Sequence, residues 1–205
     1  MKLSRLFLLL NLIVFCVLAV NTSGQEKKTA AKPAMDENAA MEMMQKLATP
    51  SEGHKKLDSM VGIWHAKSTM WMEPGKPPMV SEGTSEHTWA LGGRFLEQRL
   101  EATFMGMPFS GLSYTGYDNY KKKYVSVWMD TMGTSMLNMT GTFDAAGKVL
   151  TTTGKMDDFT TGKIMTLREK MTLVGKEEIL LEMWGPAADG KEFRMMEVRY
   201  TRTGQ

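Results

Sequence analysis

The chain has 205 residues, 42% hydrophobic and 23% charged, enough for one domain with a sizeable core plus tails. Its formal charge of +2 comes from Lys2 and Arg5; without residues 1–24, 23 Lys and Arg balance 23 Asp and Glu. That balance argues against nucleic acid or an anionic membrane surface as a partner, and a single cysteine, Cys16, excludes a disulfide framework.

In chain order, residues 1–24 have the layout of a secretory signal peptide. Lys2 and Arg5 are followed by an apolar run broken only by Asn11, then by the small and polar residues Asn21, Thr22, Ser23 and Gly24. The run is short for a membrane span and no stop-transfer pattern follows. Cleavage after Gly24 is expected, with no membrane span afterwards and a secreted or periplasmic location. Val14 and Phe15 precede Cys16 where a lipoprotein would need small residues. Residues 25–48 form a tether whose second half, DENAAMEMMQKLA, suits a short helix capped by Asp36. Residues 49–205 are the expected folded domain. A short helix is expected over 50–60, with Thr49 as cap, Pro50 in its first position, Glu52 completing a capping box, and Gly62 ending it.

Beyond Gly62 the pattern becomes one of strands. Runs of about ten residues rich in Thr, Val, Tyr, Trp and Met alternate with turn signals. The turns fall at 73–78, Gly92-Gly93, 106–108, Asp118-Asn119, Met132-Gly133, Ala146-Gly147, around Gly162, at Gly175-Lys176 and at Asp189-Gly190. Nine turns divide ten strands, and short connections make neighbours antiparallel. Closing such a meander into a barrel removes its two edges, and ten strands leave room for a cavity. Over 164–174 the alternation is clear: Met165, Leu167, Met171 and Leu173 share one face, interrupted by Glu169, while Thr166, Arg168, Lys170 and Thr172 share the other. Over 124–131 both faces carry apolar groups.

Gly62-Ile63-Trp64 after a short helix resembles the G-x-W signature of the calycin group, the lipocalins, fatty-acid-binding proteins and their relatives. In that group an arginine of the last strand packs over the tryptophan. Arg199 and Arg202 in MEVRYTR are the candidates, and cation–π stacking would seal one barrel end. LGGRFLEQ (91–98), GYD (116–118), WMDTMGT (128–134) and MEVRYTR (196–202) together resemble the bacterial domain of unknown function 1579 (DUF1579) family, grouped with calycin-like barrels. The resemblance implies an all-β, ten-stranded antiparallel barrel with a short helix capping one end. It implies no activity.

The chain has 21 methionines, 16 of them from Met60 onward. They suit three roles: adaptable core filling, the lining of an apolar ligand site, or thioether ligation of Cu(I). Residues i and i+2 of a strand share a face, so pairs such as Met70 and Met72 need no metal. A hairpin centred on Lys76 would set His65 opposite His87, both pointing outward if Trp64 points in. Two histidines fall short of a zinc site. The related haem-binding nitrobindins ligate iron through a histidine near the C-terminus, and here no histidine follows His87. Asp130, Arg94, Arg99 and Arg199 stand out as charges on apolar strands. Facing inward, they would hold the polar end of a ligand; facing outward, they are surface charges. Common nucleophile, P-loop and dinucleotide motifs are absent from the sequence.

The expected function is therefore binding of a small apolar or amphipathic molecule in the cavity, against Trp64 and Trp128, with Asp130, Arg94 and Arg199 supplying polar contacts. Gly62, Trp64, Arg199 and Arg202 would form the structural signature at the barrel end. No catalytic residue, metal site, cofactor or nucleic-acid partner is implied. Alternatives are an enzyme using Asp130 and an arginine in the cavity, an envelope protein with a packed interior, and haem or Cu(I) binding.

Overall fold

The computed structural model describes residues 36–159 and 161–204; the expected signal peptide and the first part of the tether lie outside them. Helix α1 (Glu37–Ala48) starts at Asp36, whose carboxylate accepts a hydrogen bond from the Asn38 amide at 2.9 Å. The helix expected over 50–60 is instead two short pieces, α2 (Glu52–Lys55) and a 3₁₀ turn (Asp58–Met60). Thr49 does not cap α2. Its hydroxyl donates 2.8 Å to the Gln45 carbonyl and closes the end of α1. The cap falls to Ser51, whose amide donates 2.9 Å to His54 Nδ1, so His54 takes the place expected for Glu52.

Ten strands follow among the described residues: β1 (Gly62–Met70), β2 (Met79–Ala90), β3 (Phe95–Phe104), β4 (Met107–Asp118), β5 (Lys123–Asp130), β6 (Leu137–Phe143), β7 (Val149–Asp158), β8 (Lys163–Leu173), β9 (Glu178–Pro186) and β10 (Glu192–Gly204). Every consecutive pair is antiparallel, and β1 pairs with β10 to close the barrel. The connections fall at the nine turn signals. The tightest is Met105-Gly106, with both φ values positive (52° and 77°), as a twisted two-residue hairpin requires. Among the described residues no helix is long and apolar enough to cross a membrane.

The register decides which side chains face in. Trp64 pairs with Ser85 and with Arg202, Gln98 with His87 and with Ser113, and Glu169 with Thr152 and with Met183. The β1–β2 hairpin centres between Pro74 and Gly75, so His65 meets Thr84 and His87 meets Gly62. The expected His65–His87 pairing therefore does not occur. The offset is an odd number of residues, which reverses parity and turns His87 into the interior. His65 stays outside, near Glu82.

One end of the barrel is closed by α2 and the 3₁₀ turn. Leu57 and Met60 are almost wholly buried there (0% and 2% exposed), each contributing about 2 kcal/mol of apolar burial. Tyr124 Oη donates to the Gly53 carbonyl at 2.8 Å, and Trp89 Nε1 to Asp58 at 2.9 Å. Buried Asn119 reaches back to α1, donating to the Leu47 and Thr49 carbonyls at 3.0 and 2.8 Å. The opposite end carries the β1–β2, β3–β4, β5–β6, β7–β8 and β9–β10 connections and has no helical cover among the described residues.

Candidate functional site: the barrel lumen

The lumen has three zones, set by how far each inward side chain lies from the helical plug. The first is a sealed floor. Trp64 is wholly buried and donates from Nε1 to the Met60 carbonyl at 2.9 Å. The Arg202 guanidinium lies over its ring at 4.0 Å. The same guanidinium donates to three backbone carbonyls, those of Val61, Ser59 and Lys176, at 2.6, 2.7 and 2.8 Å. Gly62 makes this possible. Its φ of 136° disfavours any other residue, and a Cβ would collide with Arg202 Nη1 and lie 2.9 Å from the Gly204 carbonyl.

A polar belt sits above the floor. Gln98 Nε2 donates to Ser85 Oγ at 3.1 Å and to Tyr200 Oη at 3.0 Å, and Ser85 Oγ lies 2.9 Å from His87 Nε2. His87 is 2% exposed, and burial pushes its pKa down to about 4, so the imidazole is neutral. Its Nδ1 has no well-aligned partner. The Met60 carbonyl beside it draws the pKa upward against the larger effect of burial, but that oxygen already serves Trp64. Burial likewise pushes the Tyr200 hydroxyl up to about 12. Glu169 completes the belt. It is enclosed by the barrel wall but half-buried rather than sealed, so part of its surface meets the lumen. Desolvation pushes its pKa up to about 7, against a hydrogen bond with Thr152 that lowers it.

The third zone is the upper lumen, whose lining is half-buried and apolar. Leu100, Phe104, Phe109, Trp128, Leu137 and several methionines face in. Trp128 lies flat on Gly111, where a Cβ would strike its ring, and donates from Nε1 to Asp130 at 2.7 Å. Asp130 also accepts from the Met132 amide at 2.9 Å. Asp130 thus anchors Trp128, and among the described residues no arginine pairs with it. Nor is any group of three His, Cys, Asp or Glu side chains among them placed to hold a metal ion.

A family model described as a protein of unknown function (DUF1579) matches residues 49–202. The chain belongs to the DUF1579 family. The crystal structure of Rv2717c from M. tuberculosis is similar at TM-score 0.54 and 13% identity, over 76% of this chain and 99% of that one. A redesigned β-barrel aligns over the same shares at 13% identity with TM-score 0.38, too low to carry weight. No curated protein matches the chain. At these identities the likeness is one of fold alone.

The DUF1579 barrel places the expected site residues unevenly. Gly62, Trp64 and Arg202 meet at the floor, while Trp128 and Asp130 meet in the upper lumen. The arginines expected to hold a ligand lie elsewhere. Arg94 sits in the β2–β3 turn, bonded to the Leu91 and Gly92 carbonyls. Arg199 points outward, because the buried Val198 and Tyr200 on either side take the inward positions, and it pairs with Glu178. It therefore has no part in the seal over Trp64. Arg99 is also outside, 2.5 Å from Glu97. The expected Arg clamp for a ligand carboxylate is thus absent from the lumen, and the inward charge above the floor at Glu169 and Asp130 is acidic. Sequence reasoning marked Glu169 as an interruption of an apolar face but not as a site. Ser85 and Gln98 escaped it, although Gln98 shares its parity with apolar Leu96 and Leu100, and His87 was expected outside, opposite His65.

Proposed function

We propose that the DUF1579 barrel binds a small, mainly apolar molecule in its upper lumen, admitted at the end opposite the helical plug. The observation that carries this reading is the contrast along the lumen: floor side chains are sealed, while inward apolar side chains above the polar belt keep accessible surface. Exposed apolar residues around the mouth favour the same entry route, among them Met72, Met105, Met132, Met136, Phe159 and Ile164. Burying about 300 Å² of apolar ligand surface would supply roughly 7 kcal/mol before association costs. A hydroxyl or other hydrogen-bond donor on the ligand suits Glu169 better than a carboxylate does.

Titration with a neutral lipophilic dye tests this. Emission should rise and saturate near one dye per chain, and Ala102→Trp, which fills the lumen from β3, should abolish the rise while the circular dichroism is kept. A wild-type protein that leaves the emission unchanged rules the reading out. We further propose that the chain is exported and loses residues 1–24. N-terminal sequencing of protein recovered outside the cytoplasm should then begin at Gln25, and recovery of the intact chain only from the cytoplasm would exclude export.

A further inference from the structure

The methionines of the barrel are concentrated away from its plugged end, although Met60, Met139 and Met171 belong to the buried core. Of the 16 from Met60 onward, all but Met60, in the plug, and Met129, on the outer face, lie in the lumen or at its mouth. The floor is built mainly of other residues, Leu57, Trp64, Leu96, Tyr124, Leu150 and Ile179, with Met171 beside Leu150 as its barrel methionine.

The register orders part of this set into a row. Met79 pairs with Met70, Met70 with Met196, Met196 with Met183, and Met183 with Glu169. Four inward thioethers thus follow one another across β2, β1, β10 and β9, and a carboxyl on β8 ends the row. Strand tilt carries it from the rim, where Met70 and Met79 end their strands, to the middle of the lumen at Glu169. All five side chains are half-buried, not sealed. Directly paired residues have Cβ atoms about 5 Å apart, and three rotatable bonds let each thioether swing toward its neighbour. Exposed Met72, Met105, Met107, Met132 and Met136 place further sulfur at the mouth.

Thioether sulfur is a soft, neutral donor that selects Cu(I) over zinc, magnesium or calcium. Beyond Cys16 the chain has no thiolate to compete for such an ion, and the described residues form no His, Asp and Glu group suited to a harder one. A monovalent cation held by neutral sulfurs needs a nearby negative charge, and Glu169 stands at the end of the row. We propose that Met70, Met196 and Met183 form a Cu(I) site in the lumen, with the Glu169 carboxylate balancing its charge. The site takes a bare soft cation and shares the lumen, Glu169 included, with the apolar molecule proposed above.

The test is anaerobic competition for Cu(I) between the full chain and a chromophoric Cu(I) chelator, with Ag(I) titration as a redox-inert check. The chain should withdraw one Cu(I) from the chelator. Met183→Leu and Met196→Leu should each weaken this at least tenfold, and Glu169→Gln should weaken it too. Leucine nearly conserves volume, so these variants should keep the fold, read by circular dichroism. Metal loss with the circular dichroism retained therefore separates loss of the sulfur ligands from loss of the fold. A wild-type chain that withdraws no Cu(I), equal Cu(I) affinity in the leucine variants, or equally tight binding of Zn(II) would each overturn the assignment.

Discussion

Arg202→Ala is expected to destabilise the barrel by roughly 3–5 kcal/mol, whereas Arg199→Ala, three residues away, should change it by less than about 0.5 kcal/mol. The difference follows from strand parity. Arg202 turns inward, lies on the Trp64 ring at 4.0 Å and satisfies the carbonyls of Ser59, Val61 and Lys176. Its removal orphans those oxygens and uncovers a wholly buried indole. Arg199 is exposed and paired with Glu178, a surface contact of little net worth. Thermal unfolding should show a drop of about 10 °C for Arg202→Ala and none resolvable for Arg199→Ala. Arg202→Lys should recover only part of the loss, because a single ammonium cannot match a fork that reaches three carbonyls. Gly62→Ala should resemble Arg202→Ala, since its Cβ would enter the space of that guanidinium at a φ of 136°. Similar losses for Arg199→Ala and Arg202→Ala would refute this account of the seal.

The barrel was legible in the sequence because its connections are written in local chemistry. Gly106, Gly147, Gly162 and Gly190 have φ values that favour glycine, and each marks a turn without reference to distant residues. Antiparallel neighbours then follow, and closure removes the edges. The helix before the barrel was less legible because its cap depends on tertiary contacts. Ser51 serves as cap where its hydroxyl also donates to Asn119 at 2.6 Å, a residue 68 positions away.

Facing direction in the first hairpin is hidden from the sequence for a related reason. The turn over 73–78 offers several centres, and moving the partner of His65 from His87 to Thr84 exchanges inside for outside. His87 thereby enters the core, where only the register places it beside Ser85 and under Trp64 and Tyr200. The polar belt is assembled from β2, β3, β8 and β10, so no short motif announces it. Glu169 was visible as a charge out of phase with its neighbours, which indicates that an interior carboxyl exists without saying what it faces. The inward turn of Arg202 rather than Arg199 can be read from MEVRYTR once Val198 and Tyr200 are taken as core residues.

Two groups of the belt, buried His87 and half-buried Glu169, should impose opposite pH dependences on stability in the metal-free protein, and separating them is the second large effect expected. His87 accepts a proton near 6.5 when unfolded but only near pH 4 within the barrel. As pH falls from 6.5 to 4 the unfolded chain gains a proton that the folded chain refuses, so the fold loses about 3 kcal/mol. Glu169 behaves in the reverse sense, because its pKa rises from 4.5 to about 7 on folding. As pH climbs through that window the unfolded chain releases a proton that the barrel retains, and above pH 7 the full cost of about 3 kcal/mol is present. Between pH 4.5 and 6.5 the two slopes oppose and nearly cancel. Glu169→Gln should therefore expose the histidine alone: stability rising with pH from 4 to 6.5, and at pH 8 a gain of roughly 2–3 kcal/mol over wild type. His87→Gln should expose the carboxyl alone, with stability falling from pH 4.5 to 7. Urea unfolding across pH 4–8 measures both profiles, and parallel profiles for the two variants would show that the barrel does not hold His87 and Glu169 neutral in this way.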